Sequence, residues 1–210
     1  MTLSYDEIRS RLAPFSIDLT LDQLDLVRKY IELLELWNRK ISLVSPSDMG
    51  QLVQRHLGES FFGASAVGIH DGRLADVGTG AGFPGIPLKI AAPGLDMTLI
   101  ESNQRKAAFL SETIRTLRLT SCRVNATRFD EVDPQEKFKF VTSRALGNYP
   151  ALLKWASSRL IEGGKIALWL GSEDASHLSA EPGWKWHVPI PIPGSDRRVL
   201  LVGTAELSVA

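Results

Sequence analysis

Apolar positions along this chain first recur at helical spacing and then gather into short runs. Between Thr20 and Trp37, Leu24, Val27, Ile31 and Leu34 fall at steps of three and four with charges between them, the stripe of an amphipathic helix. Thr20 opens the stripe and Gln23 follows three residues later, so the pair can satisfy each other's free amides as a capping box. Ser45-Pro46-Ser47 breaks the chain, and a second helix is expected from about Asp48 to Phe62. No strand is expected before Gly72. From Arg73 onward apolar runs alternate with helical stretches, with strands expected near 73–77, 97–100, 122–125, 138–143, 165–170 and 198–203 and helices near 85–91, 104–117 and 149–161. After Gly171 a proline-rich link, Pro189-Ile190-Pro191-Ile192-Pro193, leads to Arg198-Val199-Leu200-Leu201-Val202, which suits a closing antiparallel pair at one sheet edge. The pattern is that of an α/β protein with a mostly parallel sheet: a helical extension over residues 1–70 and one compact unit over 71–210.

Composition narrows this picture without naming a chemistry. Over 210 residues, 44% are apolar and 23% charged, enough for a core that needs no staple. Lys+Arg and Asp+Glu both number 24, so a polyanionic partner has to be argued from local charge. Cys122 is the only cysteine, which removes intrachain disulfides and cysteine metal clusters and fits a reducing compartment. No metal site is expected. No run approaches the ~18 apolar residues of a membrane helix, so a soluble cytoplasmic protein is expected.

Candidate chemistry begins at Asp76-Val77-Gly78-Thr79-Gly80-Ala81-Gly82-Phe83-Pro84-Gly85, which leaves the first expected strand and opens a helix. Glycines there let backbone approach a ligand at the ligand-binding corner of an open α/β sheet. Gly80-x-Gly82-x-x-Gly85 also fits the dinucleotide fingerprint, so NAD is a rival ligand. Three features favour S-adenosylmethionine: the loop begins earlier, at Gly78; an acid, Asp76, closes the strand; and Pro84 removes an amide a pyrophosphate would use. Glu101, just after Met97-Thr98-Leu99-Ile100, is placed to accept ribose hydroxyls from either cofactor. Gly78, Gly80 and Glu101 are therefore candidate cofactor-binding residues.

Residues 76–88, DVGTGAGFPGIPL, are similar to the signature of the bacterial small-subunit ribosomal RNA guanine-N7 methyltransferases known as RsmG or GidB. Further stretches agree in order: Trp37-Asn38 with Ile41-Ser42-Leu43, Arg55-His56-Leu57-Gly58-Glu59-Ser60, Glu101-Ser102 leading into Arg105-Lys106 and Phe109-Leu110, and Ser143-Arg144-Ala145. The resemblance spans about Leu21 to Val202. It implies a class I S-adenosylmethionine-dependent methyltransferase fold, Rossmann-like with a mostly parallel seven-stranded sheet and an N-terminal helical cap. It also implies cofactor contacts at Gly78, Phe83, Phe129, Asp130 and Arg144, and 16S ribosomal RNA or the small ribosomal subunit as partner. Two departures stand out. Lys40-Ile41-Ser42-Leu43 replaces the usual Asn-Leu-Thr, and Glu59 replaces an Asp.

The residues also limit the acceptor. Cytosine-C5 methylation needs a cysteine nucleophile near the fourth strand, and Cys122 falls in the third. Exocyclic amines are usually served by an Asn/Asp-Pro-Pro-aromatic turn, whereas here the turn reads Ser143-Arg144-Ala145-Leu146-Gly147-Asn148-Tyr149-Pro150. Guanine N7 carries a free lone pair and needs no general base, so the lack of an acid–base motif is expected. Arg144 is the candidate catalytic residue, as anchor for the methionine carboxylate or the target nucleotide; the plainer reading is a helix-capping arginine. RNA contacts are expected from Arg105, Lys106, Arg115 and Arg118, within a run that also holds Arg123 and Arg128 against one acid, Glu112. Arg55 and His56 on the cap, with Arg39-Lys40, supply a second basic patch. Trp37 is a candidate stacking ring, and Trp155, Trp169, Trp184 and Trp186 are assigned to packing. The alternatives are a methyltransferase of the same fold acting on another RNA site or a small molecule, and a non-catalytic RNA-binding ribosome-assembly module. A monomer is the favoured state.

Overall fold

The computed structural model describes residues 3–144 and 146–206. Ala145, part of the Ser143-Arg144-Ala145 stretch, lies outside them, as does the end of the 71–210 unit beyond Glu206.

Four helices precede the sheet: α1 (Tyr5–Leu12), α2 (Leu21–Asn38), the single turn α3 (Pro46–Met49) and α4 (Glu59–Val67). Thr20 and Gln23 cap α2 reciprocally, as their spacing predicts, and Leu24, Val27, Ile31 and Leu34 are its buried stripe. The helix expected over Asp48–Phe62 is not continuous. Leu52–Gly58 winds as a π-helical turn before the α-helix resumes at Glu59. Apolar periodicity does not distinguish 4.4 residues per turn from 3.6 over so short a stretch.

The sheet comprises β1 (Gly72–Val77), β2 (Leu95–Ile100), β3 (Cys122–Asn125), β4 (Phe138–Arg144), β5 (Leu160–Gly171), β6 (Trp184–Trp186), β7 (Ile190–Pro191) and β8 (Arg198–Ala205). Between strands lie α5 (Gly85–Ala91), α6 (Gln104–Leu117), α7 (Tyr149–Arg159) and α8 (Ser172–Leu178). Strand order is β3-β2-β1-β4-β5-β8-β6, with β7 also on β8. The first five positions are parallel, and β8 runs antiparallel to β5, β6 and β7. The sheet is thus seven strands wide, its outer edge divided between the two short strands.

Alternate residues of each central strand enter different cores, because side chains of a strand point to opposite faces. Leu74 of β1, Met97 and Leu99 of β2, Phe140 of β4, and Ala167 and Trp169 of β5 join the buried residues of α2, α4, α5 and α6. Ala75, Val77, Ile100, Val141, Ile166 and Leu168 face α7 and α8. The N-terminal helices therefore share one core with a face of the sheet. Trp37, partly buried, packs against it: its ring meets Phe109 edge-on at 5.8 Å, which supports the packing role. Trp155, Trp169 and Trp184 are buried, as assigned.

Cap and sheet meet most tightly where Gly63 of α4 faces Trp169 of β5, whose indole donates to the Glu59 carbonyl at 2.9 Å. A Cβ at Gly63 would lie 2.1 Å from that ring. Gly63→Ala is expected to destabilise the fold by about 1–3 kcal/mol, the usual cost of overpacking a closed core, read as a lower urea midpoint at unchanged slope.

Candidate active site

The glycine loop is held from three sides. Asp76, at the end of β1 and fully buried, accepts the Gly85 amide at 2.9 Å through Oδ2 and the Thr142 hydroxyl at 2.9 Å through Oδ1. Glu101 accepts the Gly80 amide at 2.9 Å and the Asn103 amide at 2.8 Å. From the cap, the buried Tyr30 hydroxyl donates to the Ala81 carbonyl. Gly78, Gly80 and Gly82 take positive φ, the left-handed region where a side chain would be strained.

Beside this loop opens a cavity of about 720 Å³ at the carboxyl ends of β1, β2 and β3. Gly78 forms one wall, Thr127 to Asp130 a second, and Leu146 with Trp155 and Lys154 of α7 a third. Ile100 and Ser102 line it too, which sets Glu101 between two lining residues. Gly78 keeps its wall open: a Cβ there would lie 2.8 Å from Leu146 Cδ1. Of the expected cofactor residues, Gly78, Phe129 and Asp130 line the cavity, and Gly80 and Glu101 are bonded to each other at its rim.

Phe83 and Arg144 sit elsewhere. Phe83 is buried against Tyr30 and the His56 ring, at centroid distances of 5.6 and 4.9 Å. Arg144, at the end of β4, turns to the cap, where Glu59 Oε2 lies 3.2 Å from Nη2 and the Arg55 carbonyl 3.5 Å from Nη1. Arg55 pairs with Asp48. His56 has no hydrogen-bond partner on either nitrogen.

Half of the basic run is neutralised, Arg123 by acids distant in sequence and Arg115 and Arg128 by near neighbours. Arg123 pairs with Asp96 and Glu136, Arg128 with Asp130, and Arg115 with Glu112. Arg105 and Lys106 instead line a shallow depression with Lys40, Ile41, Ser42 and Asn103, which joins the start of α6 to the cap. Arg118 ends α6 exposed. Sequence reasoning missed Trp155 as a cavity residue and the partnership of Glu59 with Arg144 and Arg198. Trp155 reads as core in any apolar pattern, and ion pairs between distant elements leave no local signal.

With this geometry in hand, the chain matches the profile of GidB, described as rRNA small subunit methyltransferase G, over residues 23–183. The chain belongs to the GidB family. Ribosomal RNA small subunit methyltransferase G of Stenotrophomonas maltophilia (strain K279a) is 36% identical over 169 residues, 79% of each chain. The protein of the same name from Laribacter hongkongensis (strain HLHK9) is 30% identical over 200 residues, 94% of this chain and 96% of that one. In fold, the chain is similar to ribosomal protein L11 methylase from Lactobacillus delbrueckii subsp. bulgaricus, with a TM-score of 0.60 at 17% identity over 73% of this chain and 79% of that one. The architecture is that of the class I methyltransferases.

The loop's own bonds oppose the dinucleotide alternative for this GidB-family chain. Gly78 and Thr79 amides donate to the Ile100 carbonyl, Gly82 and Phe83 to Thr79, Gly80 to Glu101 and Gly85 to Asp76. Few amides remain for a pyrophosphate, and the Asp76 carboxylate already stands at the start of α5. A ligand without phosphates fits such a loop.

Two buried groups titrate with opposite sign. Burial, aided by Arg144, pulls the His56 imidazole down to about 3. The unfolded chain therefore takes up this proton first, and stability falls as pH drops below about 6.5. Burial lifts Asp76 to about 6 despite its hydrogen bonds, so here the folded chain takes up the proton first and stability rises as pH falls through about 6 towards about 4. Burial also raises Glu59, which adds to the second effect. His56→Phe is expected to remove the opposing limb: urea unfolding between pH 7 and 5 should show the variant gaining up to about 1.4 kcal/mol per pH unit on acidification while the parent stays flatter. Parallel curves would mean that His56 titrates like an exposed histidine.

Proposed function

We propose that this chain transfers a methyl group from S-adenosylmethionine to N7 of a guanosine in 16S ribosomal RNA. The observation that carries the reading is the cavity beside a glycine loop whose amides are internally bonded, in a chain that matches GidB over residues 23–183. Bound there, the cofactor supplies an electrophilic methyl on a sulfonium. Gly78 backbone and the Glu101 carboxylate hold the ribose side, and Phe129 and Asp130 the adenine side. Gly80 keeps Glu101 oriented. Phe83 and Arg144 belong to the acceptor side, above β4.

The protein's share of the chemistry is then alignment and exclusion of water. N7 presents its lone pair without losing a proton, so no side chain has to act as a base. His56 suits that division of labour, since it stays neutral across the working range and cannot add another positive charge beside Arg55 and Arg144.

Lys40, Arg105 and Lys106 form the proposed RNA-facing patch, with Arg118 further along α6. Arg115 contributes less because Glu112 neutralises it. The partner is 16S ribosomal RNA or the small ribosomal subunit, the compartment the cytoplasm, and a monomer the favoured acting form. Residues 71–210 are the methyltransferase unit, and 1–70 complete its acceptor side.

Nucleoside mass mapping of 16S ribosomal RNA tests the reaction. Cells lacking the gene should lose one N7-methylguanosine, restored by the parent gene and not by Glu101→Ala, whose affinity for S-adenosylhomocysteine should fall by about 1.5–3 kcal/mol through the lost charge-assisted bonds. An unchanged methylation map refutes the assignment. Charge reversal of Arg105 and Lys106 to Glu should weaken RNA binding and flatten its salt slope by roughly two charges with cofactor affinity intact, whereas reversing Arg115 should change the slope little.

A further inference from the structure

The cavity lies beside the carboxyl ends of β1, β2 and β3 and reaches the loop after β4 through Leu146, Gly147 and Asn148. Over β4 and β5 stands a separate polar group built from three parts of the chain: Glu59 at the start of α4, Arg144 at the end of β4, and Arg198 at the start of β8, which pairs with Gly171 at the end of β5. Neither Glu59, Arg144 nor Arg198 lines the cavity.

We infer that Glu59 is a positioning residue: its carboxylate, shared between Arg144 and Arg198, fixes the Arg144 guanidinium over the end of β4, where the target guanosine is presented. This rests on the N7-methylation reading above and adds to it the part that the cap plays at the acceptor.

The geometry is specific. Glu59 is 1% exposed, with Oε2 3.2 Å from Arg144 Nη2 and Oε1 2.6 Å from Arg198 Nη2. Its main chain is fixed as well, because the Glu59 carbonyl accepts the Trp169 indole. Arg144 receives a second anchor from the Arg55 carbonyl at 3.5 Å. One carboxylate between two guanidiniums cannot drift toward one without loosening the other, so the orientation of Arg144 is set by the cap.

Stability alone does not account for such a group. Desolvating charges costs several kcal/mol for each ion, and well-packed apolar side chains commonly serve a core as well or better. Hydrogen-bonding capacity is left over here too. Among the described residues nine buried side-chain polar atoms have no hydrogen-bond partner, and five of them belong to this neighbourhood: Arg55 Nε, both nitrogens of His56, Arg198 Nε, and Glu59 Oε2, which meets Arg144 as an ion pair without hydrogen-bond geometry. So many buried and incompletely bonded charges are kept at a cost in stability, which points to a role in holding Arg144 in place.

The test uses the full chain and small ribosomal subunits that lack the methyl group, with single-turnover rates, S-adenosylhomocysteine affinity and the modified nucleoside read in parallel. Glu59→Gln should slow methyl transfer by roughly 10- to 100-fold while cofactor affinity stays within about threefold. Glu59→Asp, which retains the charge, should recover most of that rate. Combined with Arg144→Lys, Glu59→Gln should add no further loss, because both act through one guanidinium. The inference is overturned if Glu59→Gln stays within threefold of the parent, if Asp rescues nothing, or if the two losses multiply. Should Glu59→Gln not fold, the cycle is run with Glu59→Asp, whose withdrawn carboxylate should cost a few-fold in the parent and nothing on the Arg144→Lys background; equal losses on both sink the idea. The modified nucleoside tests the N7 reading separately. A parent enzyme that methylates another atom refutes that reading, while the rate coupling still decides the role of Glu59.

Discussion

A single buried carboxylate, Asp76, fixes the geometry on which the ligand end of this molecule depends. It has no access to water, and both oxygens are engaged by groups from other elements: the Gly85 amide at the start of α5 and the Thr142 hydroxyl on β4. Because a buried acceptor without donors costs about 1–3 kcal/mol, loop, helix and neighbouring strand are held at one mutual distance. Gly85 is glycine for the same reason. A Cβ there would lie 2.7 Å from Asp76 Oδ2 and 2.4 Å from Leu99 Cδ2, so the helix can start this close to the sheet only without a side chain. The carboxylate stands where a dinucleotide-binding loop would hold its ligand's phosphate, which is how a shared Gly-x-Gly-x-x-Gly spelling leads to a different ligand.

The cap follows from the same constraint. Gly82 takes positive φ, and the nearest atoms a Cβ would meet there include the Tyr30 hydroxyl at 2.9 Å and Ile86 Cγ1 at 2.6 Å. Tyr30, from α2, donates to the adjacent Ala81 carbonyl, so a helix from the N-terminal third braces the far side of the loop. Glu59 does the equivalent over β4 and β8. The two cap residues thus reach both halves of the carboxyl edge, and the apolar core between α2, α4 and the sheet sets their spacing. A sheet without these helices would keep its topology on paper and lose the support of its loop.

Legibility in the sequence tracked the range of the interaction involved. Helices at 85–91 and 104–117 and the strand at 122–125 were readable to the residue, because local periodicity and turn chemistry determine them. α1 was not anticipated: only Ile8 and Leu12 of its eight residues are buried, although the Ser4/Glu7 capping box was there to be read. The π-helical turn at Leu52–Gly58 is a tertiary outcome, placing Leu57 and Gly58 in the core while Arg55 pairs with Asp48 and His56 packs on Phe83. Within the candidate site, glycine spacing and the strand-end acids marked the loop that walls the cavity. The Glu59–Arg198 pair was harder to read, because its members are 139 residues apart and meet only when β8 is laid antiparallel to β5.

Charge shows the same limit and explains how a neutral chain can carry a local cationic patch. Counting along the sequence gave a run of arginines between 104 and 128; in space Arg123 and Arg128 are returned to neutrality by Asp96, Glu136 and Asp130. Among the described residues Lys40, Arg105, Lys106 and Arg118 form no ion pair, and the first three share one depression beside the loop that leads from β2 into α6. At physiological ionic strength a charge acts over about 8 Å, so what an approaching phosphate senses is the local sum and not the zero net charge. Asp96 and Glu136 answer Arg73 and Arg123 at the sheet edge and Glu59 answers Arg144 and Arg198 in the buried network, while Lys40, Arg105 and Lys106 keep their charge at the joint between cap and α6. That placement concentrates positive charge where Asn103 opens α6, and it requires no excess of basic residues in the composition.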